Sequence, residues 1–502
     1  MKKFLLLLAV MVGAMTASAQ NFWYNGLACG ILDEDLATVR IFRPSGGYTQ
    51  LGGILTIPST VYYNNKAYTV VKIDNYAFYG CAAITKVVIP KTIESISDCA
   101  FYECTGLTTV TFEDPAHSNL WEVCSSAFAY SGLTSISFPP SLKGIYAYAF
   151  CQCTNLTSAT IPNSVTFLSD GVFSRCSSLQ TVNIPTGIDA IHDYCFHNCT
   201  SLSRITIPNN VKSIGLGAFE DTKISSLTIP SSVKYIDQLA FACNPNLTTL
   251  TIPKTVEWIE QGAFRACGLK SVNIQNDTIA AGEFADCTDL KTVTIGKNLV
   301  YIDDTDEDER YWPFKDCPIE TLTIGSNVAA NISYYTSARN TLKTLIVEDG
   351  VTDLPENAFL NCDALETVSL PSGLKHIYNS AFSGCVSMGD LVANMVKPIV
   401  INQSVFNGVP QHGYCDLHVP SGSKVRYSAM EVWKEFTIIE EDADSFFSPG
   451  DVNSDKKVDV ADAQSILNII ADEDYEPGAD INTDGKVDVA DYQSVLNIMA
   501  GN

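Results

Sequence analysis

The sequence predicts a repeat solenoid, with a parallel β-sheet on one face, β caps at both ends and a small separate α-helical domain at the C-terminus. Three observations predict it. Phenylalanine recurs at Phe78, Phe101, Phe128, Phe150, Phe173, Phe196, Phe219, Phe241, Phe264, Phe284, Phe314, Phe359 and Phe382, mostly 22 or 23 residues apart. Between these marks, stretches such as Leu250-Thr251-Ile252 and Val293-Thr294-Ile295 alternate polar and apolar, as half-buried strands do. Beyond residue 450 the composition changes to twelve acidic residues against three lysines.

The first twenty residues read as a targeting segment. Lys2 and Lys3 supply a charged start, residues 4–15 a short apolar core, and Ala17-Ser18-Ala19 a small-residue cleavage site. Cleavage near Ala19 would send the mature chain to the cell surface or the medium. No cysteine closely follows the cleavage site, which argues against a lipid anchor. No later apolar run is long enough to span a bilayer, so no membrane span is expected.

Residues 20–70 carry strand-like runs (Ala37-Thr38-Val39-Arg40-Ile41, Leu55-Thr56-Ile57, Tyr68-Thr69-Val70-Val71) without the repeat signature, and read as an N-terminal β cap. A stack of coils otherwise ends in a raw apolar edge.

Residues 71–395 form the predicted solenoid. Its unit is an apolar strand ending in Ile-Pro, a polar turn, and an Ala-Phe-x-x-Cys return expected as a short helix or turn. Residues 202–224 show it, with Leu202, Ile205, Ile207-Pro208, Val211, Ile214, Ala218-Phe219 and Ile224. Proline cannot donate to a ladder and so ends the strand; Asn, Ser, Lys and Gly supply the turn. One coil cannot bury its own apolar side, whereas stacked coils share a continuous core.

Seventeen cysteines in an exported chain would suggest a disulfide framework. Eleven of them, however, read as one repeat position: Cys81, Cys104, Cys153, Cys176, Cys199, Cys243, Cys267, Cys287, Cys317, Cys362 and Cys385. A residue tied to repeat phase packs the same way each time, so free buried thiols are expected. A local pair such as Cys99 with Cys124 stays open. The phase breaks twice: at the acidic run Asp303-Asp304-Thr305-Asp306-Glu307-Asp308-Glu309-Arg310, read as a solvated loop, and between Phe314 and Phe359. There Ile324 and Leu345-Ile346-Val347 keep strands but Ala-Phe is missing.

The Ile-Pro…Ala-Phe-x-x-Cys repeat, over about residues 50–395, resembles that of the BspA-like leucine-rich-repeat family of exported bacterial proteins. The resemblance implies binding or adhesion at a surface, with a protein or glycan as ligand. It transfers no binding residues, because the motif consists of core positions.

Residues 396–439 read as a closing cap and 440–449 as a linker. Residues 450–502 then hold two similar twelve-residue loops. The first offers Asp451, Asn453, Asp455, Lys457 (through its carbonyl), Asp459 and Asp462; the second offers Asp480, Asn482, Asp484, Lys486, Asp488 and Asp491. Oxygen side chains at loop positions 1, 3, 5, 9 and 12 suit calcium, which prefers six to eight oxygens. Lys456 stands where the turn favours glycine, whereas the second loop has Gly485, so the first site is expected to be the weaker. A helix follows each loop, with Ile466, Leu467, Ile469 and Ile470 on one apolar face and Val495, Leu496, Ile498 and Met499 on the other. The duplicated loop-and-helix resembles a type I dockerin module. That resemblance implies two calcium ions and docking onto a cohesin-like partner, near Val460-Ala461 and Val489-Ala490.

A formal charge of −25 repels phosphate backbones and excludes nucleic acid as a ready partner. The densest histidine cluster, His192 and His197 with Cys195 and Cys199, reads as packing rather than zinc, and there is no phosphate loop or nucleophile elbow. The sequence therefore predicts a non-catalytic binding protein. The alternative is a structural component of a polysaccharide-degrading assembly.

Overall fold

The computed structural model describes residues 20–280, 282–296, 301–302, 313–325, 337–411, 413–441 and Val495. They fall into two compact units, residues 1–225 with 236–244, and residues 226–235 with 245–502. Each is a parallel β-solenoid.

In the N-terminal unit the chain starts with antiparallel pairing of Asn21–Tyr24 with Leu27–Asp33, and of Leu27–Asp33 with Thr38–Ile41. Thr38–Ile41 then pairs in parallel with Lys66–Ile73, and from there the short strands Ser95–Ile96, Glu122–Val123, Gly144–Ile145 and Phe167–Leu168 follow in parallel. A second set of parallel ladders runs through the longer strands. Gly53–Thr56 leads to Ile84–Ile89 and Thr109–Phe112, and Ser135–Ser137 leads to Ser158–Thr160 and Thr181–Val182. Most coils thus contribute a long and a short strand, where the sequence suggested one sheet face. In the C-terminal unit nine described strands, from Thr249–Ile252 to Thr437–Glu441, pair in parallel. Thr321–Ile324 and Thr344–Val347 stay in register across the degenerate coil; the acidic run at 303–310 lies outside the described residues.

The corner between long and short strands is made by the Ile-Pro signature. The Pro90, Pro162 and Pro253 carbonyls accept from the amides of Ile93, Val165 and Val256 at 3.2, 3.1 and 3.0 Å. Proline ends the ladder and seeds a turn that carries the next apolar side chain inward. Two expected long strands do not form. Residues 202–208 and 224–230 join no strand ladder, although Leu202, Ile207, Ile224 and Ile229 are buried. Here the Lys223 amide donates to the Leu202 carbonyl (3.0 Å), and both the amide (3.1 Å) and the hydroxyl (3.4 Å) of Ser225 donate to the Ser203 carbonyl.

The Ala-Phe-x-x-Cys return is a run of turns rather than a helix. Residues two before and two after the phenylalanine are left-handed: Tyr148 and Gln152 around Phe150 (φ 58° and 60°), Tyr194 and Asn198 around Phe196 (φ 55° and 57°). This alternation turns every second amide toward the next coil. Tyr148, Phe150 and Gln152 donate to the carbonyls of Asp170, Val172 and Ser174, each at 2.9 Å, while Ala149, Cys151 and Cys153 donate locally. No helix has to be accommodated within a coil, and each amide still finds an acceptor.

The phenylalanines are the interior rungs that the repeat implies. In the N-terminal unit the rings from Phe78 to Phe241 stack at 5.1–5.7 Å between centroids, tilted by 16° or less. Tyr48 lies on Phe78 at 5.4 Å and closes the stack, its hydroxyl donating to the Phe42 carbonyl. In the C-terminal unit Phe359, Phe382 and Phe406 stack in the same way. Phe406 is a rung that the sequence reading missed, because Val405 replaces the marker alanine. Beyond it Trp433 and Phe436 meet Phe406 edge-on (5.8 and 5.1 Å) and end the stack. Trp433 Nε1 donates to the Ile399 carbonyl (2.8 Å) and the Tyr427 hydroxyl to that of Met395 (2.9 Å), so both buried polar tips are satisfied.

Candidate functional site

The repeated cysteine has a definite task. The carbonyls of Phe150, Phe173, Phe284 and Phe359 each accept the amide three residues on, which leaves one lone pair free. The cysteine of the following coil fills it: Cys176 Sγ donates to the Phe150 carbonyl (3.1 Å), Cys199 to Phe173 (3.2 Å), Cys317 to Phe284 (3.1 Å) and Cys385 to Phe359 (3.3 Å). Where cysteine is missing the pattern varies. Asn244 Nδ2 donates to the Phe219 carbonyl of the preceding coil (2.9 Å) and to that of its own Phe241 (2.8 Å), whereas Thr222 turns to the Phe219 carbonyl of its own coil (3.2 Å) and Ser131 meets Cys153 Sγ (3.3 Å). This corrects the repeat assignment of Cys243. The rung position of that coil is Asn244, and Cys243 precedes it at a left-handed turn residue (φ 59°).

All seventeen cysteines are free thiols. Burial pushes the Cys104, Cys153 and Cys362 thiols up to about 12. A thiol so held stays protonated at neutral pH, which suits a hydrogen-bond donor and not a nucleophile. In the histidine cluster Cys195 and Cys199 are buried in the interior, while His192 lies 3.5 Å from Asp170 and His197 3.1 Å from Glu220. Among the described residues no three His, Cys, Asp or Glu side chains gather as a metal site would require.

With the interior given over to packing, recognition falls to the outer faces. The long-strand face of the C-terminal unit is a half-buried column of small polar residues, Thr249, Ser271, Thr292, Thr321 and Thr344, directly opposite one another in register. The turn side of the N-terminal unit instead carries exposed tyrosines, among them Tyr76, Tyr130 and Tyr148. Sequence reasoning passed over these rings, since tyrosine recurs only intermittently there: Tyr76 and Tyr148 stand two before a rung, where other coils have Cys99, Ser126 or Gly171.

The calcium-loop residues Asp451, Asn453, Asp455, Lys457, Asp459, Asp462, Asp480, Asn482, Asp484, Lys486, Asp488 and Asp491 lie outside the described residues. The described residue in this segment, Val495, is helical and fully buried. Its burial agrees with an apolar exit-helix face, and the donor set, all oxygen, fits a hard cation.

The chain matches the family described as BspA type leucine rich repeat region, in overlapping segments 71–189, 121–248, 168–281, 222–330 and 276–389. Residues 449–499 match the dockerin type I domain. Among solved structures it is similar to a leucine-rich repeat protein from Bacteroides ovatus (20% identity over 83% of this chain and 99% of that one, TM-score 0.41). It is also similar to a leucine rich cell surface protein from Faecalibacterium prausnitzii (23% identity, 84% and 98%, TM-score 0.39). A third is the T. pallidum leucine rich repeat protein (28% identity, 40% and 89%, TM-score 0.35). No curated protein matches the chain. Both matched families are non-catalytic binding modules, and dockerin type I domains are known calcium binders. Among the described residues no helix is long and apolar enough to cross a membrane.

Proposed function

Since the chain belongs to the BspA-type leucine-rich-repeat family and ends in a dockerin type I domain, we propose that it is an exported binding protein in two functional parts. The solenoid recognises a protein or glycan at or near the cell surface, and the C-terminal module docks it to a cohesin-like partner in the presence of calcium. The observation that supports this most is where the chemistry has gone. The repeated reactive residue, cysteine, is consumed by interior hydrogen bonds, while hydroxyls and aromatic rings are left on the outside. Export rests on the leader read in residues 1–19.

Two calcium ions would be held by Asp451, Asn453, Asp455, Asp459 and Asp462 with the Lys457 carbonyl, and by Asp480, Asn482, Asp484, Asp488 and Asp491 with the Lys486 carbonyl. The ions would draw together carboxylates that a domain of this size has too little core to confine. Binding of the full-length chain to an array of matrix proteins and glycans tests the solenoid's role, and a cohesin pull-down with calcium or with chelator tests the tail's. A solenoid that binds nothing on the array, beside a tail that captures cohesin, would favour the structural-component reading.

A further inference from the structure

The turn side of the N-terminal unit carries four tyrosines in one continuous row. Tyr79 and Tyr102 stack at 5.4 Å with only 3° between their planes, Tyr102 meets Tyr130 at 5.3 Å, and Tyr76 meets Tyr79 at 6.0 Å. Tyr76 and Tyr130 are 49% and 43% exposed. Packing does not require these rings. The interior beneath them is already filled by Phe78, Phe101 and Phe128, and at the position of Tyr79 and Tyr102 later coils carry Ala129, Ser174 or Ala242. Large aromatic area held at little conformational cost is what binding surfaces use.

The row already holds one cation. Arg43, an exposed residue of the N-terminal segment, places its guanidinium carbon 4.9 Å from the centre of Tyr79. That is within cation–π range, and a guanidinium is the side chain best shaped to lie flat on a ring. The negative charge of the exposed Glu103 acts on the Tyr79 hydroxyl and pushes the phenol up. The strip therefore combines ring faces with negative charge, on a chain whose formal charge of −25 draws cations toward it.

We propose that this tyrosine row is a docking strip for an extended, arginine- and lysine-rich polypeptide segment of a partner protein. Arg43 shows how a cation sits on an open ring face, and the exposed rings at the ends of the row, Tyr76 and Tyr130, take the partner's side chains. A neutral sugar would use the rings but gain nothing from Glu103. The inference rests on the reading of the solenoid as a binding scaffold, and gives that scaffold a face and a partner chemistry.

The test uses the full-length chain with calcium and fluorescein-labelled nona-arginine, read by anisotropy at about 0.15 M salt. Replacing Tyr76 and Tyr130 together by alanine should weaken binding by about ten-fold, from two exposed cation–π contacts. The matching phenylalanine variants, which keep the ring faces, should stay within about two-fold. Tyr378→Ala, an equally exposed ring in the other unit, should change nothing. Arg43→Ala, which uncovers Tyr79, should tighten binding more than Lys212→Ala, which removes the same charge elsewhere. Circular dichroism establishes that each variant is folded, and Glu103→Gln, with weaker binding expected, tests the strip without touching a ring.

Equal affinity of the double alanine variant and the parent would overturn the proposal, since binding would then come from diffuse acidity. So would failure to bind nona-arginine, or tighter binding of neutral cellohexaose that the same variants abolish. The array separates this from the broader reading. Protein ligands captured regardless of Tyr76 and Tyr130 sink the strip and leave the scaffold's role intact, whereas an array without any ligand sinks that role itself.

Discussion

Glu283 stands where the repeat places alanine, immediately before the rung Phe284, and it is fully buried. One of its oxygens accepts the Ala280 amide at 2.9 Å; the other, like Oδ1 of the equally buried Asn276, has no hydrogen-bond partner among the described residues. Burial pushes its carboxyl up to about 8, with the Ala280 hydrogen bond working the other way. The folded chain therefore keeps the proton that the unfolded chain releases near 4.5. Stability from this group is full below about 4.5 and is lost as pH rises to about 8, at about 1.4 kcal/mol per pH unit. Between pH 5.5 and 8.5 the parent should lose about 3 kcal/mol that Glu283→Ala does not lose. The alanine variant also forfeits the hydrogen bond and leaves a small void, each about 1 kcal/mol or somewhat more, but these costs do not depend on pH. The change with pH of the parent–variant difference thus isolates the carboxyl. Urea unfolding followed by circular dichroism at pH 5.5, 7 and 8.5 measures it, with hydrogen exchange over residues 262–287 to locate the effect. A parent–variant difference that stays constant with pH would mean that Glu283 is already ionised in the fold, and the argument from burial would fail.

Other outcomes follow from the same structure. Phe196→Ala removes a fully buried ring stacked on two neighbours and should cost about 3–5 kcal/mol in urea unfolding, far more than truncating exposed Tyr378. Cys176→Val keeps the bulk but strands the second lone pair of the Phe150 carbonyl, costing about 1–3 kcal/mol, whereas Cys176→Ser keeps a donor and should cost less. Equal losses for the two variants would contradict the donor role of the thiol. Cys104 and Cys153, held near 12, should resist a thiol reagent at pH 8 until the chain is unfolded; rapid labelling of the native chain at either site would refute the burial argument. Calorimetric titration of the full chain should count two calcium ions, and Asp480→Ala with Asp484→Ala should abolish the tighter site, leaving the one whose turn carries Lys456.

Much of this molecule is legible one residue at a time because a solenoid is close to one-dimensional: each coil meets only its neighbours, so repeat spacing in the chain becomes stacking in space. The spacing of Phe78 to Phe382 was enough to predict buried rungs, and Thr-Val-Thr-Ile at 292–295 enough to predict a half-buried strand. Where a repeat position tolerates substitution, the reading fails. Phe406 was missed because Val405 precedes it, and Cys243 was placed in the rung because a cysteine one residue out of phase looks like the repeat. Asn244 could have been found, since it stands three residues after Phe241 as Cys176 does after Phe173.

What the sequence determined by itself is the periodic core, because it depends on residue types at set intervals along the chain. Tertiary structure alone decided what the intervals are for: that the thiol satisfies the carbonyl of the preceding coil, that alternate left-handed residues turn amides toward the next one, and that Tyr76, Tyr79, Tyr102 and Tyr130 join into a row beside Arg43. Those contacts join residues about one coil or more apart in sequence, or four side chains without a shared motif. Only the stacking of coils brings them within the few ångströms over which hydrogen bonds and ring contacts act.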